Sequence, residues 1–216
     1  MQILMASNNQ HKLIELRDIL RDTEIIPAGL LFPDFDPEET GTSFLENSLI
    51  KAKALYSLLH SPEGLKAYRR LSDAKPLPVV MADDSGLCVD ALGGEPGIYS
   101  SRFGHESAGR PLSPGEQNDL LLEKLRGENR RSARYICCMS LIIDEHRVFT
   151  AQESWEGEIA ESPSDARGGF GYDPIFYLPG RGCTVADIPA AEKAASSHRG
   201  KATRIIQSII AGLQVK

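Results

Sequence analysis

Asp83 and Asp84 stand side by side between the apolar run Val79-Val80-Met81-Ala82 and Ser85-Gly86. Two adjacent carboxylates at a strand end are costly unless a cation or hydrogen-bond donors compensate them. Neighbouring side chains of extended backbone point opposite ways. One carboxylate is therefore expected to face a ligand, while the other braces the loop or holds a second metal. Hard carboxylate oxygens suit Mg²⁺, which keeps waters and bridges substrate phosphates. A polar turn without chemistry is the alternative.

Four further groups of residues have the types that handle a nucleotide. Ser7-Asn8-Asn9 precedes an amphipathic stretch with Lys12 in its first turn. Helix starts attract anions through exposed N–H groups, and a hydroxyl and an ammonium add donors. Lys12 is thus a candidate phosphate contact, although a capped helix with a solvated lysine fits as well. The run G-x-x-x-x-G-K-[ST] of a P-loop is absent. Glu46, Asn47, Lys51 and Lys53 fall on a second helical pattern. Asn47 and Lys51 are four apart and Glu46 and Lys53 seven apart, so each pair shares one side. A metal-binding carboxylate and phosphate-binding lysines fit there, as does a plain charged face. Gly168-Gly169-Phe170-Gly171-Tyr172-Asp173-Pro174 sets an aromatic among glycines. Such a ring either stacks on a base or tucks into the core. Finally, Lys193 precedes Ser197-His198-Arg199-Gly200-Lys201, with cations at the start of a last helix, where they are unfavourable unless an anion visits.

The elements that must position these residues alternate. Residues 2–6 form a strand, 11–21 a helix with Leu13, Leu16 and Leu20 inward, and 43–59 a helix with Phe44, Leu45, Leu49, Ala52, Leu55, Leu58 and Leu59 inward. Thr42 or Ser43 caps that helix, with Glu46 completing a capping box. Residues 61–78, rich in Pro and charge, read as a surface insertion with about one helical turn. Residues 78–82 and 87–92 give two strand signals, and 114–125 a helix. Residues 132–143 form a long central strand that turns at 144–147 into a partner, 148–155. A Gly-rich loop at 163–174 and a helix at 199–213, carrying Ile205, Ile206, Ile209, Ile210 and Leu213, complete the pattern. This predicts an α/β fold with a mixed sheet flanked by helices.

The chain has 216 residues, 41% hydrophobic and 25% charged, which is ordinary globular usage. A net charge of −6 argues against a nucleic acid polymer as partner, yet clustered lysines can still reverse the local sign. Cys88, Cys137, Cys138 and Cys183 show no zinc spacing and read as reduced, buried small side chains, which fits the cytoplasm. Neither a signal peptide nor a membrane-spanning run is evident.

These residues bring the chain close to a known family. It resembles the inosine triphosphate pyrophosphatases of the Ham1/RdgB type. The resemblance rests on Ala6-Ser7-Asn8-Asn9-Gln10-His11-Lys12 with Glu15, on Thr42-Ser43-Phe44-Leu45-Glu46-Asn47-Ser48 with Lys51-Ala52, and on Ala82-Asp83-Asp84-Ser85-Gly86-Leu87. It continues through Gly94 to Phe103, Gly169-Phe170-Gly171-Tyr172-Asp173-Pro174, Glu192-Lys193 and Ser197-His198-Arg199-Gly200-Lys201, across nearly the whole chain. There are three departures. Segment 61–78 is longer than usual, Asn9-Gln10-His11 replaces a glycine before Lys12, and Ala194-Ala195-Ser196 stands where an asparagine is common.

The resemblance implies one pyrophosphatase domain over 1–216, two-lobed around a long mixed sheet, with a cleft between the lobes, a homodimer and Mg²⁺. It implies that Ser7, Asn8, Asn9, Gln10, His11 and Lys12 hold the triphosphate, with Lys51 and Lys53 beside them. Glu46 and Asp84 would bind metal, Asp84 would accept the proton of an attacking water, and Ser85 would touch substrate. Phe170, Gly171, Tyr172, Asp173, Lys193, His198 and Arg199 would surround the nucleotide and its base. The implied reaction is attack of water at the α-phosphorus of a non-standard purine triphosphate such as dITP, ITP or XTP, with loss of pyrophosphate. A pyrophosphatase for modified pyrimidine or methylated nucleotides and a non-catalytic nucleotide sensor are the competing readings.

Overall fold

The computed structural model describes residues 1–72, 76–166 and 168–214. Residues 73–75 of the 61–78 segment and Arg167 of the Gly-rich loop lie outside the described residues. In chain order the elements are β1 (Gln2–Met5), α1 (Gln10–Ile19), β2 (Glu24–Pro27), α2 (Ala28–Leu31), α3 (Phe44–His60), α4 (Pro62–Leu71) and β3 (Val79–Val89). There follow α5 (His105–Ala108), α6 (Pro114–Lys124), β4 (Ser132–Asp144), β5 (Arg147–Ile159), β6 (Phe176–Leu178), β7 (Cys183–Thr184), α7 (Ala190–Ser196) and α8 (His198–Gln214).

Among the described residues the strands form one mixed sheet of seven in the order β2-β1-β3-β4-β5-β6-β7. β1 pairs parallel with β2 and β3, while β6 pairs antiparallel with β5 and β7. Asp144 Oδ1 accepts the backbone N–H groups of His146 and Arg147, which fixes the tight turn from β4 to β5. Two compact units share the chain: 1–84 with 137–153 and 199–216, and 85–136 with 154–198.

In the first unit, period-two alternation sorts each strand between two cores. Ile3, Met5, Val79, Met81, Cys137, Met139 and Leu141 pack with Leu13, Leu16 and Leu20 of the α1 stretch and with Ala202, Ile206 and Ile210 of α8. Leu4, Ala6, Val80, Ala82 and Ile142 pack instead with Ala52, Leu55 and Leu59 of α3 and Tyr68 of α4. In the second unit a single core gathers Leu87, Val89, Phe103, Leu121, Leu125, Tyr135, Trp155 and Phe176.

Several expectations are corrected. The two strand signals around Asp83-Asp84 are one strand, β3, of eleven residues. The 61–78 segment forms not one turn but a ten-residue helix, capped by Ser61 with Pro62 in its first turn, and Tyr68 is fully buried. Leu45 and Ile205, expected inward, are exposed, because the packed stripe of α8 runs through Ala202, Ile206 and Ile210. Cys137 and Cys138 are buried, whereas Cys88 and Cys183 are only half-buried.

Candidate active site

The loop after β1 is held by its own polar side chains. Asn9 caps α1, its Oδ1 accepting from the Lys12 N–H at 3.2 Å, and the Ser7 hydroxyl accepts from the Asn9 N–H at 3.2 Å. Asn8 Oδ1 accepts from the Gly29 N–H at 2.8 Å, an approach so close that a Cβ on Gly29 would stand 2.5 Å from that oxygen. Gln10 and His11 are exposed at the helix start, and the first turn of α1 carries no acidic residue.

Asp83 and Asp84 lie inside β3, not in a turn, and alternation continues through them. Asp83 follows Val79 and Met81 to the face covered by α1 and α8, where Lys12 Nζ stands 3.1 Å from Oδ1 and 3.0 Å from Oδ2. Arg199 Nε lies 3.5 Å from Asp83 Oδ2, and Arg199 Nη1 lies 2.5 Å from Glu15 Oε2. Burial alone would raise the Asp83 carboxyl, but Lys12 and Arg199, then Lys51, hold it well below the usual carboxylate range. The Arg199 guanidinium, whose charge burial opposes, is held on by Asp83 and Glu15. The anions that compensate the cationic start of α8 are therefore these two carboxylates.

Asp84 follows Val80 and Ala82 to the face covered by α3. Lys51 Nζ sits 3.0 Å from Asp84 Oδ1 and 2.7 Å from Glu39 Oε1. Among the described residues Asp84 Oδ2 is buried with no hydrogen-bond partner. Burial pushes the Asp84 carboxyl above its ordinary value even against the attraction of Lys51. Glu46 is exposed near the start of α3. Ser43 caps that helix through the Glu46 N–H at 3.2 Å, but the Glu46 carboxylate does not return to the Ser43 backbone as a capping box requires. It accepts from the Thr42 N–H at 2.6 Å and from the Thr42 hydroxyl at 2.9 Å, which lower its pKa. Beside it Asn47 is buried, with Oδ1 accepting from the Gly41 N–H at 2.9 Å. Lys53 is exposed.

The second unit carries the other group. Ser85, half-buried, is its first residue. Gly169 and Gly171 adopt left-handed φ of 72° and 61°, and a Cβ on Gly169 would stand 2.3 Å from Asp173 Oδ2. That oxygen accepts from the Phe170 N–H at 2.8 Å and from Lys193 Nζ at 2.6 Å, while Oδ1 accepts from the Tyr135 hydroxyl at 3.2 Å. Lys193 Nζ lies 4.3 Å from the centroid of the half-buried Phe170 ring. Tyr135 stacks on His198 at 4.8 Å with planes 11° apart. Asn118 of α6 donates to the Gly171 carbonyl at 3.1 Å. Tyr172 is a core residue: its hydroxyl donates to the Ser100 carbonyl at 2.8 Å, and burial pushes its pKa up.

Lys12, Lys51, Asp83, Asp84 and Arg199 thus gather in one unit, and Phe170, Asp173, Lys193 and His198 in the other. Glu39, Asn118 and Tyr135 complete these networks without having stood out in the sequence, and Glu15, named above only among the residues of the resemblance, joins them. Glu15 offered one signal, its place one turn after Lys12 on α1; Glu39 offered none, lying in an aperiodic acidic stretch. Among the described residues no cluster of three His, Cys, Asp or Glu forms a ready metal cage, and Mg²⁺, which takes one or two carboxylates and keeps its waters, does not require one.

Known proteins match the chain along its length. The sequence model of the Ham1 family covers residues 3–209. The dITP/XTP pyrophosphatase of Treponema denticola is 42% identical over 212 residues, spanning 98% of this chain and 100% of its own. That of Methylococcus capsulatus is 41% identical over 219 residues, spanning 98% and 97%. Among solved structures, the Staphylococcus aureus Ham1 protein has a TM-score of 0.81 at 36% identity, covering 99% of this chain and 100% of its own. A HAM1 protein from Coxiella burnetii has a TM-score of 0.78 at 34% identity, covering 98% and 99%. With a family match of this extent and relatives at this identity, the chain belongs to the Ham1 family.

Proposed function

We propose that this chain hydrolyses non-standard purine nucleoside triphosphates, dITP, ITP and XTP, to the monophosphate and pyrophosphate, and so keeps these bases out of DNA and RNA. The names of its relatives support the substrate class. The observation that carries the chemistry is Asp84, a buried carboxylate with one oxygen on Lys51 and the other without a partner among the described residues.

Asp84 is the proton acceptor. Water attacks the α-phosphorus; the new P–O bond forms as the bond to the oxygen bridging to the β-phosphorus breaks. Pyrophosphate leaves, and the proton of the water passes to Asp84. A carboxylate whose proton affinity is raised by burial is suited to that transfer. Lys12 and Lys51, with Lys53 at the rim, balance charge on the leaving pyrophosphate. Ser7, Asn8, Asn9, Gln10 and His11 supply donors at the start of α1, and Ser85 contacts substrate.

The unpartnered Asp84 oxygen and the exposed Glu46 carboxylate fit a hard divalent cation. Mg²⁺ held by Glu46 and Asp84 would polarise the phosphoryl oxygens and lower the pKa of a bound water.

The base lies on Phe170, whose ring already carries one cation, with Gly171, Tyr172 and Asp173 shaping the loop beneath it. Lys193 and Arg199 offer donors only. Arg199 donates to the 6-keto oxygen of hypoxanthine or xanthine and leaves the 6-amino group of adenine unpaired, a large penalty when buried. We further assign a single domain over 1–216 with 61–78 inserted, a homodimer on the family resemblance, and the cytoplasm on cysteine usage. Among the described residues no helix is long and apolar enough to cross a membrane.

The test is a timed assay with Mg²⁺ on dITP, XTP, dATP and dGTP that resolves pyrophosphate from orthophosphate. Pyrophosphate from dITP and XTP, with little from dATP and dGTP, is expected. Orthophosphate, equal turnover of dATP and dITP, or binding without turnover overturns the reading.

A further inference from the structure

Asp83 is the one member of the acidic pair to which the proposed reaction gives no task. Its side chain is fully excluded from solvent, both its oxygens face the Lys12 ammonium at 3.0–3.1 Å, and one also faces Arg199 Nε at 3.5 Å. Arg199 is held from its far end by Glu15 at 2.5 Å. The chain Lys12–Asp83–Arg199–Glu15 runs through α1, β3 and α8 within one compact unit. We propose that Asp83 is a positioning residue that ties the phosphate-binding lysine to the base-reading arginine, so that arrival of the triphosphate resets the guanidinium. The proposal rests on the roles given above to Lys12 and Arg199.

The physical basis is competition for one buried carboxylate. Lysine is a point charge on a flexible stem, whereas a guanidinium held through Nε and Nη1 has its plane fixed. The contact from Lys12 is short and two-sided; that from Arg199 is long and has room to shorten. A polyphosphate that draws the Lys12 ammonium toward itself takes one cation from Asp83 and strengthens the pull of that carboxylate on Arg199. With little water to screen it, that charge pulls the guanidinium inward. The coupling needs no large movement, since buried ion pairs of this kind interact strongly when they share a partner.

The experiment follows the Arg199 Nε–H resonance by ¹⁵N NMR in the full chain, identified by its loss in Arg199→Lys. Inorganic tripolyphosphate with Mg²⁺ is the probe, because it carries no base. In the wild type the resonance is expected to shift on binding. In Asp83→Asn tripolyphosphate still binds but the resonance stays, and the preference for dITP over dATP in kcat/KM falls about tenfold. Lys12→Met, which leaves Asp83 and its contact with Arg199 in place, provides a second measurement. Its free protein is expected to show the Arg199 resonance already displaced in the direction tripolyphosphate produces in the wild type.

An Arg199 signal unmoved in both the tripolyphosphate-bound wild type and free Lys12→Met overturns the coupling. An equal shift in Asp83→Asn also overturns it, as does unchanged base preference in a folded Asp83→Asn. Failure of the underlying reading looks different: Lys12→Met then binds tripolyphosphate as tightly as the wild type, and the coupling falls with it.

Discussion

Asp83 and Asp84 are consecutive in β3, yet Asp83 bonds to Lys12 of α1 while Asp84 bonds to Lys51 of α3. The pleat of one strand separates them, as it separates Met81 from Ala82 just before. One carboxylate is paired with cations and fully enclosed; the other keeps an oxygen without a partner among the described residues. Identical side chains thus take up opposite tasks through position alone.

Asp84→Asn should lower kcat at least about a hundredfold, the scale expected when a group acting on the transition state is removed. Its melting temperature should not fall. The folded-state pKa of Asp84 is raised, so ionisation of Asp84 at neutral pH opposes folding, and a neutral isostere removes that cost. Steady-state kinetics with differential scanning calorimetry checks both, and near-normal turnover would sink the assignment of the proton acceptor.

Phe170 and Tyr172, two residues apart, should separate cleanly. Phe170→Ala should reduce kcat/KM for dITP by roughly 5- to 150-fold, the range given by base stacking of about 1–3 kcal/mol, with little loss of stability. Tyr172→Phe removes the hydrogen bond to the Ser100 carbonyl and should cost about 1–3 kcal/mol of stability with activity retained. Urea melts beside kinetics decide the point; the reverse pattern would exchange their roles.

Gly169→Ala places a Cβ 2.3 Å from Asp173 Oδ2 at a φ of 72°. It should displace the carboxylate from Lys193 and from the Phe170 N–H, raising KM for dITP with a smaller change in kcat. Tripolyphosphate affinity should be untouched, since the loop belongs to the base end. Equal loss of both affinities would contradict this division.

Glu116 completes the capping box of α6, the helix whose Asn118 holds the Gly171 carbonyl. Arg110, then the backbone and hydroxyl of Ser113, lower the Glu116 pKa from 4.5 to about 2. A depressed carboxyl contributes stability that is present above its unfolded pKa and lost as pH falls through the folded value. Glu116→Gln should therefore melt below the wild type at pH 7, and the two curves should converge between pH 4.5 and about 2. A gap that persists at pH 2 would locate the stabilisation elsewhere.

Much of the arrangement was legible because it is local. The α1 stripe of Leu13, Leu16 and Leu20, the long β4 and the tight turn at Asp144 follow from periodicity and turn chemistry. What escaped depends on partners distant in sequence. Asp83-Asp84-Ser85-Gly86 resembles a strand end, but β3 continues because Lys12, Arg199 and Lys51 neutralise the acids from three helices. Glu39 reaches Lys51 from an aperiodic stretch, so no spacing marks it. The helix at 62–71 carried readable signals, Ser61 before Pro62, but they were outweighed by its charge and prolines, and nothing local shows that Tyr68 is buried.

The first unit is stitched from three separated stretches, and its last piece, α8, supplies Ala202, Ile206, Ile210 and Arg199. Glu15 and Arg199 meet across 184 positions of chain. During synthesis, residues 85–136 and 154–198 have all emerged before the first unit can close its core. Such long-range closure is slow in folding terms, since chain entropy is lost before the contacts reward it. A nascent or truncated chain without α8 therefore has β1, β3 and both acids in sequence but no enclosed Asp83. Enclosure of Asp83 therefore waits on α8, and a chain cut short before His198 is expected to show no turnover.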